Sequence, residues 1–148
     1  ATGRANQTEV NKKYSDTLSA TAQTRLLVRD YIEDVYRYSG AADIVITRAG
    51  ATNLAEFALQ GKACIVIPSP FLTGGHQLKN AKYLADRKAA LVIDEKQLTD
   101  DPHRLAKQVS ALLKNAQLRK EMGHELSNFA KPKATSELAQ LILDQAKK

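Results

Sequence analysis

Residues 43–81 read DIVITRAGATNLAEFALQGKACIVIPSPFLTGGHQLKNA. Two short apolar runs rich in β-branched residues, Ile44–Thr47 and Ala63–Pro68, stand out within them. Each is followed by a turn of small residues and then by a helical pattern. Two successive βα units of this kind predict a parallel sheet buried on both faces. Ligands of such sheets sit beyond the carboxyl ends of the strands. Here those ends carry Arg48-Ala49-Gly50-Ala51-Thr52-Asn53 and Ser69-Pro70-Phe71-Leu72-Thr73-Gly74-Gly75-His76-Gln77.

Outward from this centre the patterns are weaker. A polar helix is expected from about Gln7 to Leu18, with Val10, Tyr14 and Leu18 on a thin apolar side. Leu26-Leu27-Val28 reads as a strand, and 31–36 as a short helix ended by Gly40. Helix 75–87 places Leu78, Ala81, Leu84 and Ala85 towards a core and His76, Gln77 and Asn80 on its other side. Ala90–Ile93 reads as a fourth strand. Asp101-Pro102 predicts a helix start, with Leu105, Val109, Leu112 and Leu113 buried behind it. Two further helices are marked by Leu118, Met122 and Leu126, and by Leu138, Leu141 and Ile142 beyond Pro132.

At 148 residues, 43% hydrophobic and 26% charged, the chain fits one soluble globular domain. No apolar run reaches the roughly 18–20 residues of a membrane span, and no leader opens the chain. The single cysteine, Cys64, sits inside an expected strand and reads as a core residue of a reducing, cytoplasmic compartment. There the glycosylation-like Asn6-Gln7-Thr8 carries no weight. A net charge of +6 favours anionic partners. Nucleic acid is disfavoured, because basic and aromatic residues do not interleave on any one stretch.

Two segments carry possible chemistry. A glycine and small residues before the helix in Gly50-Ala51-Thr52-Asn53-Leu54-Ala55-Glu56 would leave backbone N–H groups open to a phosphate. The same letters also suit Asn53 as an N-cap with Glu56 as its capping-box partner. In Gly74-Gly75-His76-Gln77-Leu78-Lys79-Asn80, polar tips three and four residues apart can converge, and amides suit sugar hydroxyls. A solvated helix face explains that spacing equally well. His76, His103 and His124 are too scattered for a metal site, and no metal or cofactor is expected. Nucleotide-binding lysine loops, GxGxxG and GxSxG are absent from the sequence.

The run ADIVITRAGATNLAEFALQGKACIVIPSPFLTGGHQLKNAKYL resembles the donor-binding motif of the MurG family of glycosyltransferases, through its RAGA…E and HQ…NA pieces. The resemblance extends from Thr2-Gly3 to the terminal helices. It implies the C-terminal, Rossmann-like half of a GT-B enzyme, an α/β three-layer fold with helices on both faces of a parallel sheet. It further implies metal-independent, inverting transfer of GlcNAc from UDP-GlcNAc to lipid I, giving lipid II for peptidoglycan. By the same resemblance, Ile32 meets the uracil through its backbone with Tyr31 and Val35 beside it. Gly50, Ala51, Thr52 and Asn53 offer N–H groups to the diphosphate, and Glu56 takes the ribose. His76, Gln77 and Asn80 face the GlcNAc and phosphate; His76 stands where some members carry Gln.

The family's glycine-rich loop after its first strand has no counterpart here. Nor has its N-terminal domain, with the acceptor site, the proposed general base and the membrane-docking patch. Residues 1–148 are therefore expected to be a partial C-terminal UDP-GlcNAc-binding domain, inactive alone. Ile44–Thr47 is expected at an unpaired edge open to self-association, and the longer protein at the inner face of the membrane. Alternatives are another lipid-directed UDP-sugar transferase, or a non-catalytic nucleotide-sugar-binding subunit that needs an acceptor-binding partner.

Overall fold

The computed structural model describes residues 3–70 and 75–146. Thr2, Phe71, Leu72, Thr73 and Gly74 lie outside the described residues. The chain divides into two compact units, one up to Arg37 and one from Tyr38 on.

In the first unit, α1 (Gln7–Thr17) is the expected polar helix, and none of its residues is buried. A short α2 (Ala20–Gln23), which the sequence reading lacks, is capped by Ser19, whose hydroxyl accepts from the Ala22 N–H at 3.3 Å. Gln23 Nε2 ties the two helices together, donating to the Leu18 carbonyl at 2.9 Å. The expected strand Leu26–Val28 does not form, and Leu27 is 60% exposed. Strand preference depends on neighbours to pack and pair with, and no described residue pairs with these three. The next helix is also displaced: α3 is Val35–Ala41, so Tyr31 and Ile32 precede it and Gly40 lies inside it. The Asp30 carboxylate accepts from the Tyr31 N–H at 2.8 Å, in a bend ahead of the helix. At its far end Lys62 Nζ reaches the carbonyls of Gly40 at 2.6 Å and Ala42 at 3.2 Å, the cation a helix C-terminus favours.

The second unit holds the expected α/β sandwich. Strands β1 (Val45–Thr47), β2 (Cys64–Val66) and β3 (Leu91–Val92) form a parallel sheet in the order β1-β2-β3. Val45 pairs with Cys64, and Ile65 with Leu91. Each strand lies within the apolar run that predicted it, β1 shortened at its start and β2 and β3 at both ends. Helices α4 (Ala51–Leu59) and α5 (His76–Asp86) connect them. After β3 come α6 (Glu95–Asp100), α7 (Arg104–Lys114), α8 (Ala116–Ser127) and α9 (Ala134–Ala146).

Side-chain alternation along the strands divides the core in two. Val45, Cys64, Val66 and Val92 meet Leu54 and Phe57 of α4, Ala81 and Leu84 of α5, and Leu126 of α8. Ile44, Ile65, Ile67 and Ile93 meet Leu98 of α6, Leu105, Val109 and Leu112 of α7, and Met122 of α8. Helices thus cover both faces, as expected. On its outer side β1 has no partner among the described residues, and Ile46 is 49% exposed.

Several expected details change. Leu113 is exposed, because α7 turns only Leu105, Val109 and Leu112 inward. The Asp101-Pro102 start slips: Asp101 accepts from the His103 N–H at 3.0 Å, and α7 begins at Arg104. Ahead of it, the unanticipated α6 has a full capping box. Asp94 accepts from the Lys96 N–H at 2.8 Å, and Gln97 Oε1 from the Asp94 N–H at 3.1 Å. On α5, Leu78 and Ala85 are exposed, and the inward stripe is Gln77, Asn80, Ala81 and Leu84. The helix is rotated to bring its two amides to the sheet. Leu138, Leu141 and Ile142 of α9 stay exposed, and no described helix is long and apolar enough to cross a membrane.

Helix α8 approaches the turn after α4 so closely that a Cβ on Gly123 would lie 2.1 Å from the Gly61 carbonyl oxygen. Ala gains about 1 kcal/mol in helix propensity over Gly, but overpacking against backbone costs about 1–3 kcal/mol, and at this distance the clash dominates. Gly123→Ala should therefore lower stability in urea unfolding. The C-terminus of α5 offers the opposite sign. The Lys88 and Ala89 N–H groups return to the Ala85 and Leu84 carbonyls at 2.9 and 3.0 Å. This places Lys88 at φ 55, where Gly is the usual residue. Lys88→Gly should raise stability by roughly 0.5–1 kcal/mol; an unchanged urea midpoint would show that the left-handed residue is unstrained.

Candidate functional site

The site forms where β1 and β2 end. Ala49 is fully buried, and Gly50 is the N-cap of α4 at φ −71, ψ 131 with no side-chain acceptor. The first N–H group with an intrahelical acceptor is that of Leu54, bonded to the Gly50 carbonyl at 3.0 Å. The N–H groups of Ala51, Thr52 and Asn53 therefore have no acceptor among the described residues. Such a row of donors, reinforced by the helix dipole, suits an anion. The capping-box reading is overturned, because the helix starts at Ala51 and Asn53 is already inside its first turn. Glu56, one turn further on and half-buried, has a carboxylate without hydrogen bond or ion pair among the described residues.

Helix α5 supplies two straps. Asn80 Nδ2 donates to the Ala49 carbonyl at 3.1 Å, and Gln77 Oε1 accepts from the Ser69 N–H at 2.9 Å. Their partners fix how each amide is turned: Gln77 Nε2 and Asn80 Oδ1 remain for other contacts. Gly75, at φ 62 and ψ 18, begins α5 in a left-handed turn that a side chain would disfavour. His76 follows it, exposed to solvent. The start of α4, Gln77 and Asn80 thus meet around the two strand ends. Tyr31, Ile32 and Val35 belong to the first unit or its boundary; Tyr31 is 65% exposed, and Ile32 and Val35 are half-buried.

Three features at this edge are missing from the sequence reading. Arg48 donates to the Ile67 carbonyl at 3.3 Å and pairs with Glu95, the first residue of α6. Its side chain is 54% exposed, and an ion pair so open to water is worth about 0–1 kcal/mol. A cavity of about 180 Å³ opens between α4 and α5, lined by Ala51, Leu54, Asn80, Tyr83 and Phe129 among others. Tyr83 meets Phe129 edge-on at 5.3 Å between centroids, and Arg87 stacks over Tyr83 at 3.7 Å. Glu95 and Phe129 lie far along the chain from Arg48 and Tyr83, so local spacing carries no signal for either pair.

The profile of the glycosyltransferase family 28 C-terminal domain matches residues 1–138. The chain belongs to this family. The family 28 domain described here is 35% identical over 147 residues to a relative from Halothermothrix orenii, spanning 99% of this chain and 39% of that one. A relative from Cytophaga hutchinsonii is 29% identical over 136 residues, or 92% of this chain and 36% of its own. Both are named UDP-N-acetylglucosamine–N-acetylmuramyl-(pentapeptide) pyrophosphoryl-undecaprenol N-acetylglucosamine transferase. The crystal structure of Acinetobacter baumannii MurG superposes with a TM-score of 0.76 at 31% identity, covering 96% of this chain and 41% of that one. The domain therefore spans about two fifths of the length of these relatives, and its fold is that of a GT-B C-terminal half.

Beneath the site, burial pushes the Cys64 thiol from its ordinary 9.0 up to about 12, with nearby Lys62 opposing the shift. As pH rises, the unfolded chain ionises this thiol first. Its contribution to stability is intact below pH 9 and lost between pH 9 and about 12. Cys64→Ala, although less stable near neutrality, should lose less stability than wild type between neutral pH and about pH 11 in urea titrations. Parallel losses would show that Cys64 does not contribute to the alkaline limb.

Proposed function

We propose that this chain is the donor-binding part of an N-acetylglucosaminyltransferase that moves GlcNAc from UDP-GlcNAc to the lipid-linked muramyl-pentapeptide acceptor named in its relatives. The observation that carries the reading is the row of open N–H groups at Ala51, Thr52 and Asn53, with the unpaired Glu56 carboxylate one turn beyond. As the sugar leaves, negative charge grows on the UDP diphosphate. Fixed backbone donors and the positive end of α4 stabilise that charge without reorganising.

In this assignment Gly50–Asn53 hold the diphosphate and Glu56 accepts from the ribose hydroxyls. Gln77 Nε2 and Asn80 Oδ1, the halves of the amides left over by their structural bonds, face the GlcNAc hydroxyls, with His76 at the rim. Ile32 takes the uracil through its backbone, flanked by Tyr31 and Val35. The acceptor, lipid I, and the group that deprotonates it are assigned to parts of the longer relatives outside the matched region. Because that acceptor is anchored in lipid, the working protein is placed on the cytoplasmic face of the membrane. The open edge of β1 would take a further strand, from a second copy or from a longer chain.

Glu56→Ala tests the site. Leaving a ribose hydroxyl without its acceptor costs on the order of 1–3 kcal/mol, so UDP affinity measured by calorimetry should fall roughly 5- to 150-fold. Unfolding should be little affected, because the Glu56 carboxylate has no hydrogen bond or ion pair among the described residues. Equal affinity in mutant and wild type would remove Glu56 from the donor site.

A further inference from the structure

We propose that Arg48, held by Glu95, is a positioning residue for the anion-binding turn at Ala49–Asn53, an inference that rests on the donor-site reading above. Arg48 is the last residue before the turn, and its side chain runs across the carboxyl edge of the sheet. It reaches the Ile67 carbonyl just past β2 and the Glu95 carboxylate just past β3. One side chain therefore ties the end of β1 to the segments that follow β2 and β3. By the alternation of the strand, Arg48 follows Ile44 and Ile46 on the side of α6 and α7, in a shallow cleft that also contains Ile67 and Leu98. Asn80 holds the next carbonyl, that of Ala49, from the α5 side. The base of the turn is gripped from both faces, and the N–H groups of Ala51, Thr52 and Asn53 project from that fixed base.

Charge separates this role from a direct one. A carboxylate an arginine's reach from an anion site opposes the anion by like-charge repulsion. Removing it should strengthen binding, both by lifting that repulsion and by freeing a guanidinium. If Glu95 serves by anchoring Arg48, removing it instead weakens binding. The half-exposed pair adds little to stability, so affinity can fall without loss of the fold.

The test uses the full 148-residue chain, labelled for amide NMR and titrated with UDP. Glu95→Gln should displace the amide resonances of Gly50–Asn53 and weaken UDP binding about three- to tenfold, with the melting temperature little changed. Arg48→Lys, which keeps the charge and loses the fork, should do the same, and the double variant should be no weaker than either single one. Unchanged or tighter UDP binding in Glu95→Gln overturns the proposal, as does a double variant that shows the sum of the two losses. If the wild-type chain shows no UDP-induced shifts at Gly50–Asn53, the donor reading itself fails and the proposal falls with it.

Discussion

Backbone polar groups at the carboxyl edge of a parallel sheet must find partners where the strand ladder stops. That requirement organises this structure. Here side chains do the work from the flanks: Asn80 takes the Ala49 carbonyl, Gln77 the Ser69 N–H and Arg48 the Ile67 carbonyl. The rotation of α5 follows from the same need. Its inward stripe begins with Gln77 and Asn80 and becomes apolar only at Ala81 and Leu84, where the helix descends along the buried face of the sheet.

What could be read beforehand was whatever short-range pattern determines. The runs around Val45–Thr47, Cys64–Val66 and Leu91–Val92 are continuous and β-branched because those strands are covered on both faces, and the turn after β1 is small because a helix starts there. Leu26–Val28 carries the same kind of letters without a neighbour to pair with, and no strand results. The Asn53–Glu56 box fails by three residues: the letters fit a cap, but Gly50 already begins the helix. Asp94 and Gln97 show the same spacing where it does cap. Choosing between them requires knowing where each strand stops. Arg48–Glu95 was out of reach for a different reason, since its partners are 47 residues apart and only the sheet brings them together.

Stability is concentrated in the sandwich. Both apolar clusters lie in the unit from Tyr38 on, and α8 contributes Met122 to one and Leu126 to the other. Gly123 lies between those two positions, which is why the approach to Gly61 matters: it sets how deeply both side chains insert. By contrast, α1 and α9 bury no residue, and Leu138, Leu141 and Ile142 remain in water. Elements with so little buried surface open at low free-energy cost. The carboxyl edge is instead built on the part of the chain with the best packing, where the turn at Ala49–Asn53 can be held rigid.

The three helices that follow the strands differ at their first residues. After β3, α6 begins with a complete capping box at Asp94 and Gln97. After β1 and β2, α4 and α5 begin at Gly50 and Gly75 with no side-chain acceptor. Elsewhere Ser19 caps α2 and Asn115 caps α8, while α1 and α7 begin without a side-chain cap. A glycine cap costs only a few tenths of a kcal/mol relative to Ser or Asp, so the fold tolerates it, and at α4 the N–H groups of Ala51, Thr52 and Asn53 have no acceptor among the described residues. Both helices flank the strand ends that Gln77 and Asn80 strap. A side-chain cap at position 50 would compete with a bound phosphate for the same N–H groups. Its absence at these two helices, beside a full cap on the third, is the pattern expected if a ligand's own oxygens complete α4.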